Sequence, residues 1–181
     1  MDKIKWHWYT QKEKDVIILG IDPGLAIVGY GVIDYQAPRF RTLAYGAITT
    51  PAHTPVEDRL AAIYDGMCDL IDLYHPAEMA IEELFFTKNI TTGISVAEAR
   101  GVSLLAARKK GIHIFEYTPM QVKQAVVGYG AAEKKQVQMM VKTILKLEKM
   151  PKLDDTADAL AIAVCHAHTG CSRIRDFYNI K

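Results

Sequence analysis

The sequence has few cysteines, and those present do not form pairs. Cys68, Cys165 and Cys171 are its three cysteines among 181 residues, and no CxxC motif occurs. An odd, scattered set is typical of reduced thiols in a cytosolic protein and excludes a disulfide-stapled scaffold. His166 and His168 lie near the last two cysteines, but structural zinc sites usually use well-separated ligand pairs. We therefore interpret this segment as the end of a helix.

Long apolar segments are missing as well. No run of about 18 consecutive apolar residues occurs, so no transmembrane helix is predicted. The first residues, MDKIKWHWYTQKEKD, carry many charges and lack the apolar centre of a secretory signal peptide. We therefore expect a cytoplasmic protein without membrane attachment, whose residues 1–15 form a mobile extension.

The chain also has almost no net charge, only +1, but the charge is unevenly distributed. Residues 100–152 contain eleven Lys or Arg and three acids, a net charge of +8, which leaves about −7 elsewhere. This separation indicates a polyanionic partner next to an acidic, cation-binding centre. Solvated helix faces are the alternative explanation.

Hydrophobic periodicity predicts strands early in the chain and helices late in it. The predicted strands cover residues 16–22, 27–35, 40–49, 79–84 and 112–116, and the predicted helices cover 56–74, 95–110, 120–126, 133–147 and 155–168. The first three strands follow one another closely, which indicates an antiparallel meander. An α/β fold is expected, with helices on both faces of a mixed sheet.

Four acidic residues fall where apolar elements begin or end. Asp22 ends the first strand, Glu82 interrupts an apolar strand, and Asp155 and Asp158 share one face at the start of the last helix. A desolvated carboxylate is costly unless it is paired or binds a cation. Oxygen ligands select Mg²⁺ or Mn²⁺, and two such ions would support in-line phosphodiester displacement.

Spacing alone leaves two of these positions open. Glu83 adjoins Glu82, and adjacent strand residues point to opposite faces, so only one of the two can join the cluster. Asp154 can pair with Asp158 four residues later, just as Asp155 can pair with it three residues later.

Longer strings carry a family resemblance. They are ILGIDPG with GYGVI downstream, AIEELFF followed by KN, ARG at 99–101, FEYTPMQVKQAVVGYGAAEK, and DDTADALAIAVCHAH. On these strings the chain resembles the RuvC family of Holliday-junction resolvases, from about residue 16 to residue 168. The resemblance implies an RNase H-like nuclease domain over residues 16–170, with a five-stranded sheet in which parallel strands follow the meander. Residues 171–181 are expected to form a C-terminal tail.

The resemblance implies a structure-selective endonuclease. Such an enzyme resolves Holliday junctions by paired symmetric nicks, through two-metal-ion hydrolysis, in homologous recombination and DNA repair. The implied partners are four-way junction DNA, a second subunit in a homodimer and the RuvA–RuvB branch-migration complex. Two Mg²⁺ ions per subunit are expected, with Mn²⁺ as a substitute.

The resemblance also implies site residues. Its catalytic and metal-binding acids fall on Asp22, Glu82, Asp155 and Asp158. Its DNA-binding residues fall on Phe85, which would stack on a base near the junction centre, and on Lys88, Lys123 and Lys134. The alternatives are a core position for Phe85 and solvated lysines.

Three other functions fit parts of the sequence. The segment GIDPGLAIVGYG is similar to the phosphate-binding hairpin of actin-like kinases, but those proteins need two such domains. A non-catalytic junction-binding module is a second alternative, and the presence of all four acids argues against it. A nuclease of the same fold that acts on other branched DNA or RNA is the third.

Overall fold

A mixed five-stranded sheet forms the centre of the molecule. The computed structural model describes residues 15–84 and 90–170, and its strands are β1 (Val16–Asp22), β2 (Ile27–Gln36), β3 (Arg39–Thr49), β4 (Glu78–Glu82) and β5 (His113–Tyr117). Their order across the sheet is β3-β2-β1-β4-β5. β1, β2 and β3 pair antiparallel, whereas β4 and β5 run parallel to β1. The predicted meander followed by parallel strands is confirmed.

Helices cover both faces of this sheet, as predicted. They are α1 (Val56–Tyr74), α2 (Ile90–Lys109), α3 (Pro119–Val127), α4 (Lys134–Ile144) and α5 (Asp154–Thr169). One core lies between the sheet and α1 and α2, and a second lies between the sheet and α3, α4 and α5. Of the helices formed by residues 15–84 and 90–170, none is long and apolar enough to cross a membrane.

Three element boundaries differ from the sequence prediction by more than one residue. β4 ends at Glu82 rather than at residue 84, although the apolar pattern continues beyond it. α2 begins at Ile90, five residues before its predicted start. The sequence prediction misses this first turn because the segment ITTG has low intrinsic helix propensity. α4 ends at Ile144, shortly before Lys146 adopts a left-handed conformation with φ 52°.

Two glycines allow α5 to lie directly on the sheet. A Cβ atom on Gly20 of β1 would lie 2.2 Å from the carbonyl oxygen of Ala159. On Gly29 of β2 it would lie 2.1 Å from the carbonyl oxygen of Asp155. Both distances are far below van der Waals contact, so only glycine permits this approach. The start of α5 is thereby held against the end of β1.

A buried polar contact fixes the other end of α5. The His166 side chain is fully buried, and its Nδ1 and Nε2 atoms lie 2.7 Å from the Tyr117 hydroxyl and 2.7 Å from a Glu78 carboxylate oxygen. His168 Nδ1 lies 3.0 Å from the carbonyl oxygen of Ala125. These two histidines therefore join α5 to β4, β5 and α3, as the interpretation of this segment as a helix end requires.

Candidate active site

Strand alternation directs two of the predicted acids to the same face of the sheet. Ile18 of β1 and Ala80 of β4 belong to the core beneath α5. Asp22 and Glu82 lie an even number of residues further along the same strands, so they share that face. The pairing of Ile21 with Ile81 places the two acids side by side at the ends of parallel strands. Their carboxyl groups are joined by a hydrogen bond.

The start of α5 brings the other two acids to the same place. The carboxylates of Asp155 and Asp158 both act electrostatically on Asp22, and that of Asp158 also acts on Glu82. The Asp158 side chain is 34% exposed, which leaves the group accessible from solvent. The structure therefore brings all four predicted acids together where β1, β4 and α5 meet.

The two neighbours that spacing left open lie outside this group. Glu83 is exposed, and its amide donates a hydrogen bond to the Tyr117 carbonyl oxygen 2.9 Å away. Asp154 is exposed at the helix start, where its carboxylate accepts a hydrogen bond from Gln138 at 3.1 Å and pairs with Lys134 at 3.2 Å. Geometry thus places Glu82 and Asp155 beside Asp22.

Burial and mutual repulsion disfavour the ionised form of the carboxyl groups at this site. Burial, followed by the charges of Glu82, Asp158 and Asp155, raises the pKa of Asp22 to about 8 despite the opposing effect of Lys134. Burial is also the main cause that raises the pKa of Glu82, with a further contribution from Asp158. The pKa of Asp158 is raised by burial too, although the adjacent Lys134 counteracts it. The site is therefore short of positive charge.

The donor chemistry of the site fits a divalent metal ion. Its ligand atoms are carboxylate oxygens on three rigid elements, which is the set that Mg²⁺ and Mn²⁺ prefer. Within residues 15–84 and 90–170, no three His, Cys, Asp or Glu side chains are already grouped closely enough to hold a metal ion. Metal binding at this place would therefore draw the carboxylates closer together, and the cation would offset their repulsion.

Lys134, the first residue of α4, reaches the acids directly. Its Nζ atom lies 2.9 Å from Asp158 and 3.2 Å from Asp154. Burial alone would lower the pKa of Lys134, but the hydrogen bonds and charges of these two acids outweigh that effect and raise it. The lysine is therefore a fixed positive charge at the edge of the cluster.

A pocket of about 260 Å³ connects both predicted lysines to the acids. Lys123 of α3 and Lys134 line it together with Glu82 and Asp158, and the remaining wall is apolar (Pro119, Val122, Val137, Ala161, Ile162). A capping box between Thr118 and Gln121 starts α3 and so fixes the turn that carries Lys123. The predicted DNA-binding residues Phe85 and Lys88 lie outside the described residues.

Sequence reasoning assigns no role to one residue at this site. Arg100 of α2 donates a hydrogen bond from Nε to the Glu82 carbonyl oxygen at 3.1 Å and forms an ion pair with Glu116. The sequence signal is a charged residue within the ARG string at 99–101, on a partly apolar helix. Such a signal does not reveal a partner that is a backbone atom.

The sheet order and the helices on both faces define an RNase H-like fold, which agrees with the solved structures that this chain resembles. The structure described as Thermus thermophilus RuvC in complex with Holliday junction substrate superimposes with a TM-score of 0.82 at 36% identity, covering 86% of this chain and 95% of that one. The yeast mitochondrial Holliday junction resolvase Ydc2 has a TM-score of 0.62 at 13% identity, covers 93% and 87% of the two chains, and supports the fold alone.

Sequence comparison identifies the family. The profile of the family described as crossover junction endodeoxyribonuclease RuvC matches residues 18–166. The crossover junction endodeoxyribonuclease RuvC of Alkaliphilus oremlandii is 59% identical over 166 residues, 92% of this chain and 100% of the relative. That of Clostridioides difficile is 56% identical over 154 residues, 85% and 91% of the two chains. The chain belongs to the RuvC family, as its motifs predicted.

Proposed function

We propose that this protein is an endonuclease that resolves Holliday junctions in homologous recombination and DNA repair. Membership of the RuvC family and the activity for which its relatives are named support this function. The observation that carries the proposal is the convergence of Asp22, Glu82, Asp155 and Asp158 beside a pocket lined by two lysines. We also propose a cytoplasmic location, with residues 16–170 as the nuclease domain.

The four carboxylates are proposed to hold two Mg²⁺ ions, for which Mn²⁺ can substitute. When bound, such ions neutralise charge on the reacting phosphate and lower the pKa of an attacking water. Asp22 must lose its proton to act as a ligand, since its pKa is raised to about 8. Glu82 and Asp158 flank the pocket, where they orient the groups that enter it.

Lys123 and Lys134 are proposed to bind phosphates of the DNA backbone. Both line the pocket next to Glu82 and Asp158, so a phosphate at its mouth would meet two cations. Lys134 would then exchange Asp158, now 2.9 Å away, for a phosphate oxygen. The basic region 100–152 extends this attraction over α3 and α4. Phe85 and Lys88 are proposed as further DNA contacts.

Paired symmetric nicks require two active sites, so we propose that the protein acts as a homodimer. The described parts of α1 and α2 expose large apolar side chains, with Leu73, Ile94 and Leu105 at 68%, 53% and 53% exposure, which makes that side one candidate interface; α4, with Met139 at 71% exposure, offers another. The RuvA–RuvB complex is proposed as a partner in the same process.

Cleavage of synthetic DNA tests the proposed function. The substrates are a mobile four-way junction, a linear duplex and an RNA–DNA hybrid, each with and without Mg²⁺. We expect symmetric nicks in the junction alone, and only with Mg²⁺. The amide variants Asp22→Asn, Glu82→Gln, Asp155→Asn and Asp158→Asn should bind the junction but lose nicking. Preferential cleavage of the hybrid, or near-normal cleavage by Asp22→Asn, would contradict the proposal.

A further inference from the structure

Arg100 connects three elements behind the acidic cluster. It lies on α2, and its side chain is only 13% exposed. Its Nε atom donates to the Glu82 carbonyl oxygen at 3.1 Å, while an Nη2 atom pairs with a Glu116 carboxylate oxygen. Glu116 belongs to β5, directly opposite Ile81 in the sheet. One guanidinium therefore joins α2 to the last residue of β4 and to the neighbouring strand.

The hydrogen bond from Arg100 to the Glu82 carbonyl oxygen lies at the end of β4. Glu82 is the last residue of the strand, and beyond it the Glu83 amide still donates to the Tyr117 carbonyl oxygen of β5. Arg100 binds the same strand end from the helix side. A charge-assisted hydrogen bond from a largely buried guanidinium is about twice as strong as a neutral one, and its planar fork holds both partners in one geometry.

We propose that Arg100 is a positioning residue for DNA cleavage, which fixes the Glu82 backbone and thereby its carboxylate within the cluster. The proposal rests on the proposed function, because it takes the Glu82 carboxylate as a ligand of that site. The carboxylate is attached to the backbone unit that Arg100 holds, so a shift of the carbonyl moves the ligand oxygens with it. Its Nε and Nη2 atoms bind protein acceptors, and in this role Arg100 acts through Glu82 without touching the substrate.

The main test is Arg100→Lys, which keeps the charge but has a single cationic head in place of the fork. Loss of a residue that supports a metal ligand typically costs 10–100-fold in metal affinity or activity. We expect junction cleavage to slow by at least about tenfold, and the Mn²⁺ concentration that half-saturates the protein, measured by electron paramagnetic resonance without DNA, to rise similarly. The dissociation constant for the junction in chelator should stay within about twofold of the native value.

Arg108→Lys is the matched control, since Arg108 is an exposed arginine on the same helix. It should leave all three quantities unchanged. Equal cleavage and equal Mn²⁺ affinity in Arg100→Lys and Arg108→Lys would overturn the proposal. Weaker junction binding with unchanged Mn²⁺ affinity would also overturn it, because Arg100 would then be a DNA contact.

Glu116→Gln keeps the proposal testable if Arg100→Lys does not fold. This change removes the ion pair but leaves Arg100 facing the Glu82 carbonyl oxygen, so a smaller loss of Mn²⁺ affinity in the same direction is expected. Native Mn²⁺ affinity in this variant, when Arg100→Lys is unfolded, would count against the positioning role.

Glu82→Gln separates the positioning role of Arg100 from the proposed catalytic site. If Glu82→Gln abolishes nicking while the Arg100 variants are normal, only this inference fails, whereas normal nicking by Glu82→Gln refutes the site itself.

Discussion

At the scale of single residues, Asp22 is the acid of the site whose ionised form is most strongly disfavoured, with its pKa raised to about 8. It lies at the end of a buried strand, and three other acids act on it. Burial raises the pKa of Glu82, and a side-chain hydrogen bond with Asp22 offsets part of that rise. Without metal, the folded protein therefore retains a proton that an exposed aspartate would have lost.

This retained proton predicts how stability depends on pH. The pKa of Asp22 is about 8 in the folded protein and 3.8 for an unperturbed aspartate. Between these values the folded state binds a proton that the unfolded state lacks, so the free energy of unfolding falls as pH rises through this window. In chelator, Asp22→Asn should raise the melting temperature at pH 9 much more than at pH 4. About 1 kcal/mol of relief corresponds to roughly 2–4 °C in a domain of this size.

The control for this measurement is Asp69→Asn, an exposed acid on α1. An equal rise in melting temperature at pH 4 and pH 9 for Asp22→Asn would show that Asp22 carries no unfavourable charge. An equal rise for Asp69→Asn would show the same.

The two pocket lysines predict how the affinity for the junction depends on salt concentration. If Lys123 and Lys134 bind phosphates, replacing both by Ala should reduce the slope of log affinity against log salt concentration by about 0.9 for each phosphate that is no longer neutralised. Fluorescence anisotropy of a labelled junction in chelator measures this slope. Lys149→Ala is the control, since Lys149 is an exposed lysine of the same basic region. A double variant with the slope of Lys149→Ala would mean that the pocket lysines do not bind phosphates.

At the scale of elements, the approach of α5 to the sheet determines the site. Helix α5 carries two acids, and Gly29 lets its backbone pass over β2 close enough for those acids to reach Asp22. Ala159 and Ala163 of α5, four residues apart on one helix face, lie against Gly20 of β1, so the opposing helix surface is also built from small residues there. The position of the carboxylates thus depends on small residues at the contact between α5 and the sheet, whose side chains have no reactive group.

Gly29→Ala tests this dependence. The new Cβ would lie 2.1 Å from the Asp155 carbonyl oxygen, a backbone atom that must move by more than an ångström. We expect a loss of about 1–3 kcal/mol in the free energy of unfolding, and at least a hundredfold loss of cleavage, because misplacement of this size removes productive geometry. Denaturant unfolding and junction cleavage measure the two effects.

Gly101→Ala is the control within a helix. No described atom lies within 4 Å of a Cβ placed there, so alanine should leave cleavage intact and stabilise α2 by about 0.5–1 kcal/mol. Normal cleavage by Gly29→Ala would show that α5 can withdraw without disturbing the carboxylates.

The elements also show what the sequence can predict. Within residues 15–84 and 90–170, periodicity identifies the five strands and the five helices, because each has an apolar face that must be buried. It places the end of β4 too late, since apolar residues continue beyond Glu82 while the strand ends at that residue. Asp22 and Asp158 are predictable as charges at the end of an apolar strand and at a helix start, whereas only the family resemblance selects Glu82 over Glu83 and Asp155 over Asp154. The bond from Arg100 to the Glu82 carbonyl oxygen is not predictable, because a backbone acceptor 18 residues away leaves no mark on composition or spacing.

At the scale of the whole molecule, the near-zero net charge conceals two opposite regions. The basic region 100–152 provides α3 and α4, which border the pocket, while α5 and the strand ends provide the acids. Under the proposed function, this arrangement would attract a phosphate backbone and a divalent cation to adjacent parts of the site. Cation binding and folding would then be coupled, because the cation would relieve repulsion that exists only in the folded protein.

The coupling predicts how Mn²⁺ changes the melting temperature without DNA. A ligand at about 100 times its dissociation constant stabilises the folded state by about 2.7 kcal/mol, which corresponds to roughly 5–10 °C in a domain of this size. The native protein and Asp69→Asn should show this rise. Asp22→Asn and Asp158→Asn should show much less of it, because each lacks one ligand and starts from a less strained folded state. Monovalent salt at equal ionic strength should not reproduce the difference, since screening acts on all exposed charges alike. If all four proteins responded equally to Mn²⁺, the carboxylates at the ends of β1 and β4 and at the start of α5 would not form one metal site.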